Sequence, residues 1–255
     1  MQNNIIFFFI SLILMFLFFF LMSLIFMVFL KKNVKWTITI FAGLLYFNLI
    51  LTGLFFMMKS TSGQNTIDLV YSELNKNFND VLSMEEKAGA TQQKITFLKN
   101  LFNNFIIKIV PSWVICVEIF LIFLDYLVVR IYAVQKYGVN DGMKPFALWK
   151  LNEHFIWLLI ACLGIFAMDK IFHSDIIFTI SLNGIFLLAV VYFIAGLAVL
   201  TFYLVKFSVP PFAQFFIYAI IIMWTGLSFV IILAGIFDTW FNFRKIERRG
   251  DLLWK

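Results

Sequence analysis

The sequence predicts an all-α fold: a polytopic membrane helix bundle with six transmembrane helices and one extramembrane amphipathic helical hairpin, all in a single membrane domain over residues 1–255. Three observations predict it. The chain is 63% hydrophobic and only 13% charged, where soluble domains have about 45–50% and about 25%. Apolar runs recur at residues 5–30, 36–58, 106–131, 150–168, 176–207 and 212–237, close to the ~20 residues a helix needs to cross hydrocarbon. Only residues 59–104 are hydrophilic at length, and their apolar positions keep a helical period.

The first run, 5–30, holds no charged residue and is followed by Lys31, Lys32 and Lys35. It is far longer than a signal-peptide core and has no basic leader, so it is expected to stay as a helix. The second run carries Tyr46 and Asn48 among few polar groups, with Gly43 and Gly53 as points where a neighbouring helix can come close. In 59–104, Ile67, Val70, Leu74, Phe78 and Val81 form one stripe, and Asp68, Glu73, Lys76 and Asp80 lie off it. Ser83 and Glu86 read as a capping box that starts a second helix, whose apolar face Ile95, Leu98, Phe102 and Phe105 leads into the next span. The expected result is a hairpin lying on the membrane surface or the bundle end, or an arm that binds a partner.

The third run, 106–131, has Pro111 in its first turn and carries Glu118, Asp125 and Arg130. At 1.5 Å per residue Glu118 falls near the middle of a ~30 Å hydrocarbon core, where an uncompensated charge is costly. Glu118 and Asp125 are seven residues apart and share a helical face, so that face should look into protein or a water-filled cavity. Asn48, Asn183, Thr225 and Ser228 are the expected partners of Glu118, and Arg130 is placed to pair with Asp125. Two readings stand side by side: a ligand site for a solute, proton or cation built on Glu118, Asp125, Asn48, Asn183 and Thr225, or a structural pairing of the same groups.

The fourth run, 150–168, is short unless its helix starts near Trp149, and Asp169, Lys170, His173 and Asp175 form a polar turn after it. The fifth, 176–207, either tilts or begins with a break at residues 181–184, and Ala189, Ala195, Gly196 and Ala198 mark a close-packing stripe. Pro210 and Pro211 introduce the sixth, with Thr225, Gly226 and Ser228 at its middle. Asp238, Trp240, Arg244, Lys245, Arg248 and Arg249 then read as an interfacial anchor, and the basic tail places both termini in the cytoplasm.

The chemistry inventory points away from catalysis. The chain has no zinc-protease, nucleophile-elbow or phosphate-loop motif. A non-enzymatic protein without cofactor or metal is expected. His154 and His173 read as interfacial polar residues, and Cys116 and Cys162 as packed thiols inside apolar runs. The formal charge of +6 is spread over segment ends with no nucleic-acid-binding motif. The expected partners are the lipid bilayer and a small-molecule solute, or a membrane or cytoplasmic protein recruited by the surface hairpin and basic tail.

Three segments carry a resemblance: Lys144-Pro-Phe-Ala-Leu-Trp-Lys150, the run from Tyr192 to Val199, and Gly235-Ile-Phe-Asp-Thr-Trp-Phe-Asn-Phe-Arg-Lys245. In order and spacing they resemble the YybS-like family of bacterial multi-pass membrane proteins, over about residues 65–249. That family is similar, remotely, to the substrate-binding components of energy-coupling factor vitamin transporters. The resemblance implies a six-helix, solute-binding fold in a bacterial inner membrane. The chain departs from those components in residues 5–30, which contain neither Ala nor Gly where they dock through small residues.

Overall fold

The computed structural model describes residues 2–63, 66–241 and 243–246, and among them every regular element is helical. In chain order these are α1 (Gln2–Lys31), α2 (Trp36–Ser62), α3 (Thr66–Lys87), α4 (Gln92–Leu101), α5 (Ile107–Tyr137), α6 (His154–Phe172), α7 (Asp175–Lys206), α8 (Pro211–Met223) and α9 (Thr225–Phe241). A π turn, Phe102–Ile106, joins α4 to α5, and a 3-10 turn, Phe146–Leu148, sits between α5 and α6. The chain forms two compact units: Met1–Ile107 with Val117–Met143, and Lys108–Cys116 with Lys144–Lys255.

In the first unit α1, α2 and α5 share one apolar core. Met22, Phe26 and Leu30 of α1 repeat every four residues, and Ile122, Tyr126, Val129 and Ala133 of α5 follow one another at intervals of three and four; Val139 completes the buried set. Gly43 of α2 lies where a Cβ would strike the Phe26 ring and approach Ile122, so this glycine admits the ring. Gly53 meets nothing and is not a packing point.

The hydrophilic section is helical, but its internal boundary differs from the sequence reading. α3 runs unbroken through Ser83, whose hydroxyl donates back to the Asp80 carbonyl instead of capping a new helix. The next helix starts at Thr91, whose side chain accepts from the Lys94 backbone N–H. The predicted stripe on α3 splits: Phe78 stacks on Phe102 at 3.9 Å and Leu82, Ile95 and Phe102 are buried, while Ile67, Val70 and Val81 are exposed. Helix runs continuously from α4 through the π turn into α5, so Pro111 lies inside it rather than in a first turn. The missing N–H and the ring of Pro111 disturb the preceding turn, and the wide turn of backbone lies directly upstream.

In the second unit α7 is the axis. It is one unbroken helix of 32 residues, so the break considered at 181–184 does not occur. Gly196 faces the Ile231 carbonyl and Gly235 faces the Tyr192 carbonyl, which pairs α7 with α9 antiparallel at backbone contact. The helix of α6 begins at His154, with Trp149 in extended backbone ahead of it. The expected sixth span is not one rod. α8 and α9 meet at Trp224 with a bend of 104°. Ser228 Oγ donates to the freed Ile221 carbonyl at 2.6 Å, which satisfies the broken ladder at the Thr225-Gly226-Leu227-Ser228 stretch.

By length and composition Leu12–Lys31, Trp36–Met57 and Asp175–Lys206 are sufficient to cross a membrane, and the bent α8–α9 pair makes a fourth candidate. The apolar helix His154–Asp169 is shorter, and α5, with its three internal charges, is not among them.

The α7–α9 contact gives a direct test. Gly196→Ala or Gly235→Ala places a Cβ within 1.9 or 2.2 Å of a partner carbonyl oxygen, which backbone cannot absorb without separating the helices. Each should lower stability by about 1–3 kcal/mol or more in thermal melts of the detergent-purified protein. Gly53→Ala, in open space, should leave the melt unchanged.

Candidate functional site

The acidic face of α5 meets donors from the two helices packed on it. Glu118 is 8% exposed, and Asn48 of α2 donates from Nδ2 to its Oε1 at 2.5 Å while also donating to the Leu44 carbonyl. One turn-pair further on, Ser23 of α1 donates from Oγ to Asp125 Oδ1 at 2.7 Å. Asp125 Oδ2 is buried with no hydrogen-bond partner. Neither carboxyl has a cation beside it among the described residues. Of the candidate partners the sequence offered for Glu118, the structure selects Asn48.

Arg130 does not turn back to Asp125, as the spacing suggested. Its Nε and Nη2 reach Asp141, in the connection after α5, at 2.6 and 3.2 Å. Tyr126 also donates its hydroxyl to Asp141 Oδ2, and the Met143 N–H donates to Oδ1. Burial by itself would push the Asp141 carboxyl up. The donated bonds from Arg130, Tyr126 and Met143, with the charge of Arg130, outweigh that and hold it below the usual carboxylate range. The Asp141 carbonyl in turn accepts from the Trp36 N–H, which ties the start of α2 to the same loop. This cluster was missed in the sequence because Arg130 and Asp141 lie eleven residues apart across the helix end; the Asn-Asp-Gly turn at residues 140–142 was its one visible signal.

Beside the acidic face lies a cavity of about 630 Å³. Its walls are α1, through Leu14, Leu17, Phe18 and Leu21, and α2, through Tyr46, Phe47, Leu51 and Leu54, with Leu121 of α5 also in the lining. Leu121 is three residues from Glu118, and Phe47 is next to Asn48. The lining is almost wholly apolar, and the Tyr46 hydroxyl is already donated to the Phe18 carbonyl.

The remaining predicted site residues belong to the second unit. Asn183 accepts on Oδ1 from the Ser112 hydroxyl and N–H at 2.6 and 3.1 Å, and donates from Nδ2 to the Lys108 and Thr179 carbonyls. Every polar atom of its amide is used within the fold. Thr225 is exposed at the α8–α9 break.

The predicted interfacial anchor is in part a buried lock. Asp238 and Arg244 are 3% and 2% exposed. Arg244 gives Nε and Nη2 to Asp238 Oδ2, Nη1 to the Ala147 carbonyl and Nη2 to the Trp149 carbonyl, three of these bonds at 2.7 Å. Two of the three segments that carried the resemblance thus meet, because a guanidinium has enough donors in one plane to serve a carboxylate and two carbonyls together. Trp240 and Lys245 are exposed, as an anchor requires. Arg248 and Arg249 lie outside the described residues. Cys116 and Cys162 are free thiols, and no three metal-ligating side chains gather among the described residues.

An all-helical chain with several helices long and apolar enough to span defines a helical integral membrane protein. It belongs to the family described as Predicted membrane protein (DUF2232), which matches residues 4–239. No curated protein and no solved structure matches the chain.

The Asp141 cluster has a pH signature. A carboxyl held below its unfolded value contributes stability that is complete above the unfolded pKa of about 3.9 and is lost as pH falls through the lower folded value. Stability should therefore be flat from neutral pH down to about 5 and fall below about 4. Asp141→Asn should cost about 1–3 kcal/mol at neutral pH and flatten the acid limb of the thermal-melt profile; an acid limb identical to the parent's would contradict the assignment.

Proposed function

We propose that this protein is a non-enzymatic, transport-associated membrane component that binds a small, largely apolar solute in the cavity between α1 and α2. The observation that carries the reading is the cavity itself: about 630 Å³ lies within the roughly 300–1,000 Å³ range of small-molecule sites, which are mostly apolar with a few polar groups at the rim. The polar pair Asn48 and Glu118 is one residue from Phe47 and three from Leu121 of the lining. The resemblance to the YybS-like family and to vitamin-transporter substrate-binding components agrees with a solute-binding role.

In this reading the chain crosses a bacterial inner membrane six times, through α1, α2, α5, α6, α7 and the bent α8–α9 pair, with both ends in the cytoplasm and α3–α4 as a hairpin outside the hydrocarbon. Support for the α5 crossing comes from its 31 residues, about 46 Å of helix, and from the neutral donors that meet its acids. A second reading, recruitment of a protein partner through the hairpin, is favoured by the exposed Ile67, Val70, Val81, Met84 and Phe97.

Native mass spectrometry of the protein released from its own membranes tests the first reading. A co-purifying small molecule should be present in the parent and fall by at least about tenfold in Leu51→Trp, which fills the cavity, with the melt little changed. Retention of that molecule in Leu51→Trp, or recovery of a protein partner lost only on deletion of residues 66–101, would favour the second reading.

A further inference from the structure

The two walls of the cavity are each fastened to α5 by a single hydrogen bond onto a carboxyl: α1 through Ser23 to Asp125, and α2 through Asn48 to Glu118. Both donors are neutral. Asp141, in the connection after α5, is built in the opposite way, with a guanidinium, a phenol and a backbone N–H on it. Of the other titratable groups on α1, α2 and α5, Cys116 is a free, half-buried thiol two residues from Glu118, and Lys59 is exposed near the end of α2. Arg130 and Tyr126 serve Asp141, the Tyr46 hydroxyl serves the Phe18 carbonyl, and the Lys31 ammonium lies over the Tyr137 ring at 4.6 Å. Among the described residues no cation is left in the unit's interior to neutralise Glu118 or Asp125, and Asp125 keeps a buried oxygen, Oδ2, with no partner.

An ionised carboxylate in such a place would have to recruit water or move, whereas a neutral carboxylic acid needs one acceptor for its proton and one donor for its carbonyl. On an uncharged Asp125 Oδ1 accepts from Ser23 and Oδ2 carries the proton; that O–H finds no acceptor, but an unpaired neutral hydroxyl costs far less to bury than an unpaired charge. We propose that Glu118 and Asp125 form a proton-binding site that sets the spacing of α1 and α2: protonated, they hold both walls on α5; deprotonated, they draw in water and part the walls, opening the cavity. This rests on the reading that the cavity holds a solute, and it adds that loading is controlled by protons.

The test uses the full chain in lipid nanodiscs, with Cys116 and Cys162 replaced by Ala and spin labels at Phe16→Cys and Leu49→Cys, two exposed positions on the outer faces of α1 and α2. The label distance, and binding of the uncharged fluorophore 1-N-phenylnaphthylamine, are measured at about pH 5 and about pH 9, on either side of neutrality. The distance should lengthen and broaden at the higher pH, and probe affinity should change by roughly tenfold. In Glu118→Gln with Asp125→Asn both readouts should stay at their acid values at either pH, and each single substitution should remove part of the shift, which covers the case of a double variant that folds poorly. A distance that does not move with pH in the parent, or that still moves in the substituted proteins, overturns the proposal. A shift in distance without probe binding at either pH would leave the proton site standing and remove the solute reading; probe binding with a fixed distance would do the reverse.

Discussion

The first unit depends on one constraint: Glu118 and Asp125 sit among apolar residues on α5, where a carboxyl shielded from water needs hydrogen-bond partners, so the chain must bring donors to them. It brings one from each neighbour. Asn48 comes from α2 and Ser23 from α1, and the same two helices supply the apolar residues that pack on Ile122, Tyr126 and Val129. The polar contacts fix the register and the apolar ones supply the area, in keeping with the modest strength of single hydrogen bonds between membrane helices. Gly43 lets the Phe26 ring reach Ile122 between the two polar contacts. At the helix end the design changes to a charged one: Arg130, Tyr126 and Asp141 close the loop and tie it to the start of α2.

The second unit solves a similar problem with backbone proximity and one buried ion pair. α7 and α9 approach through Gly196 and Gly235 until carbonyls take the space of side chains. Arg244 then pins the 144–149 connection to the end of α9 through two carbonyls and Asp238. A buried pair of this kind is weak evidence for stability in itself, since desolvation offsets much of its attraction. Its geometry is specific, however: loss of the guanidinium would leave a carboxylate and two carbonyls unmatched at once.

What could be read from the sequence was what depends on composition and local period. The helical class, the long apolar helices α1, α2 and α7 and the shared face of Glu118 and Asp125 follow from hydropathy and the 3.6-residue repeat, whereas Asn48 was one of four candidate partners for Glu118. The misses have a common cause, which is that a distant group decided the outcome. Ser83 looks like a cap by its neighbours, but α3 continues because Leu82 packs in place. Asp125 and Arg130 are close along the helix, yet Arg130 finds a better partner in Asp141. Arg244 looks like a solvated tail charge, but two carbonyls nearly a hundred residues away bury it. The break at Trp224 had a local signal in the Thr-Gly-x-Ser stretch, whose serine caps the broken helix. Asn183 was a fair candidate by type, and its amide is consumed by Ser112 and backbone.

The central claim is that the α5 acids are answered by neutral donors on α1 and α2, and a double-mutant cycle between Asn48→Leu and Glu118→Leu, measured by reversible unfolding in mixed micelles, tests it most directly. The account predicts a coupling energy of about 0.6–1.7 kcal/mol, the range found for interhelical hydrogen bonds in membranes. Additive effects within about 0.3 kcal/mol would contradict it, because they would mean that Asn48 and Glu118 do not hold α2 on α5.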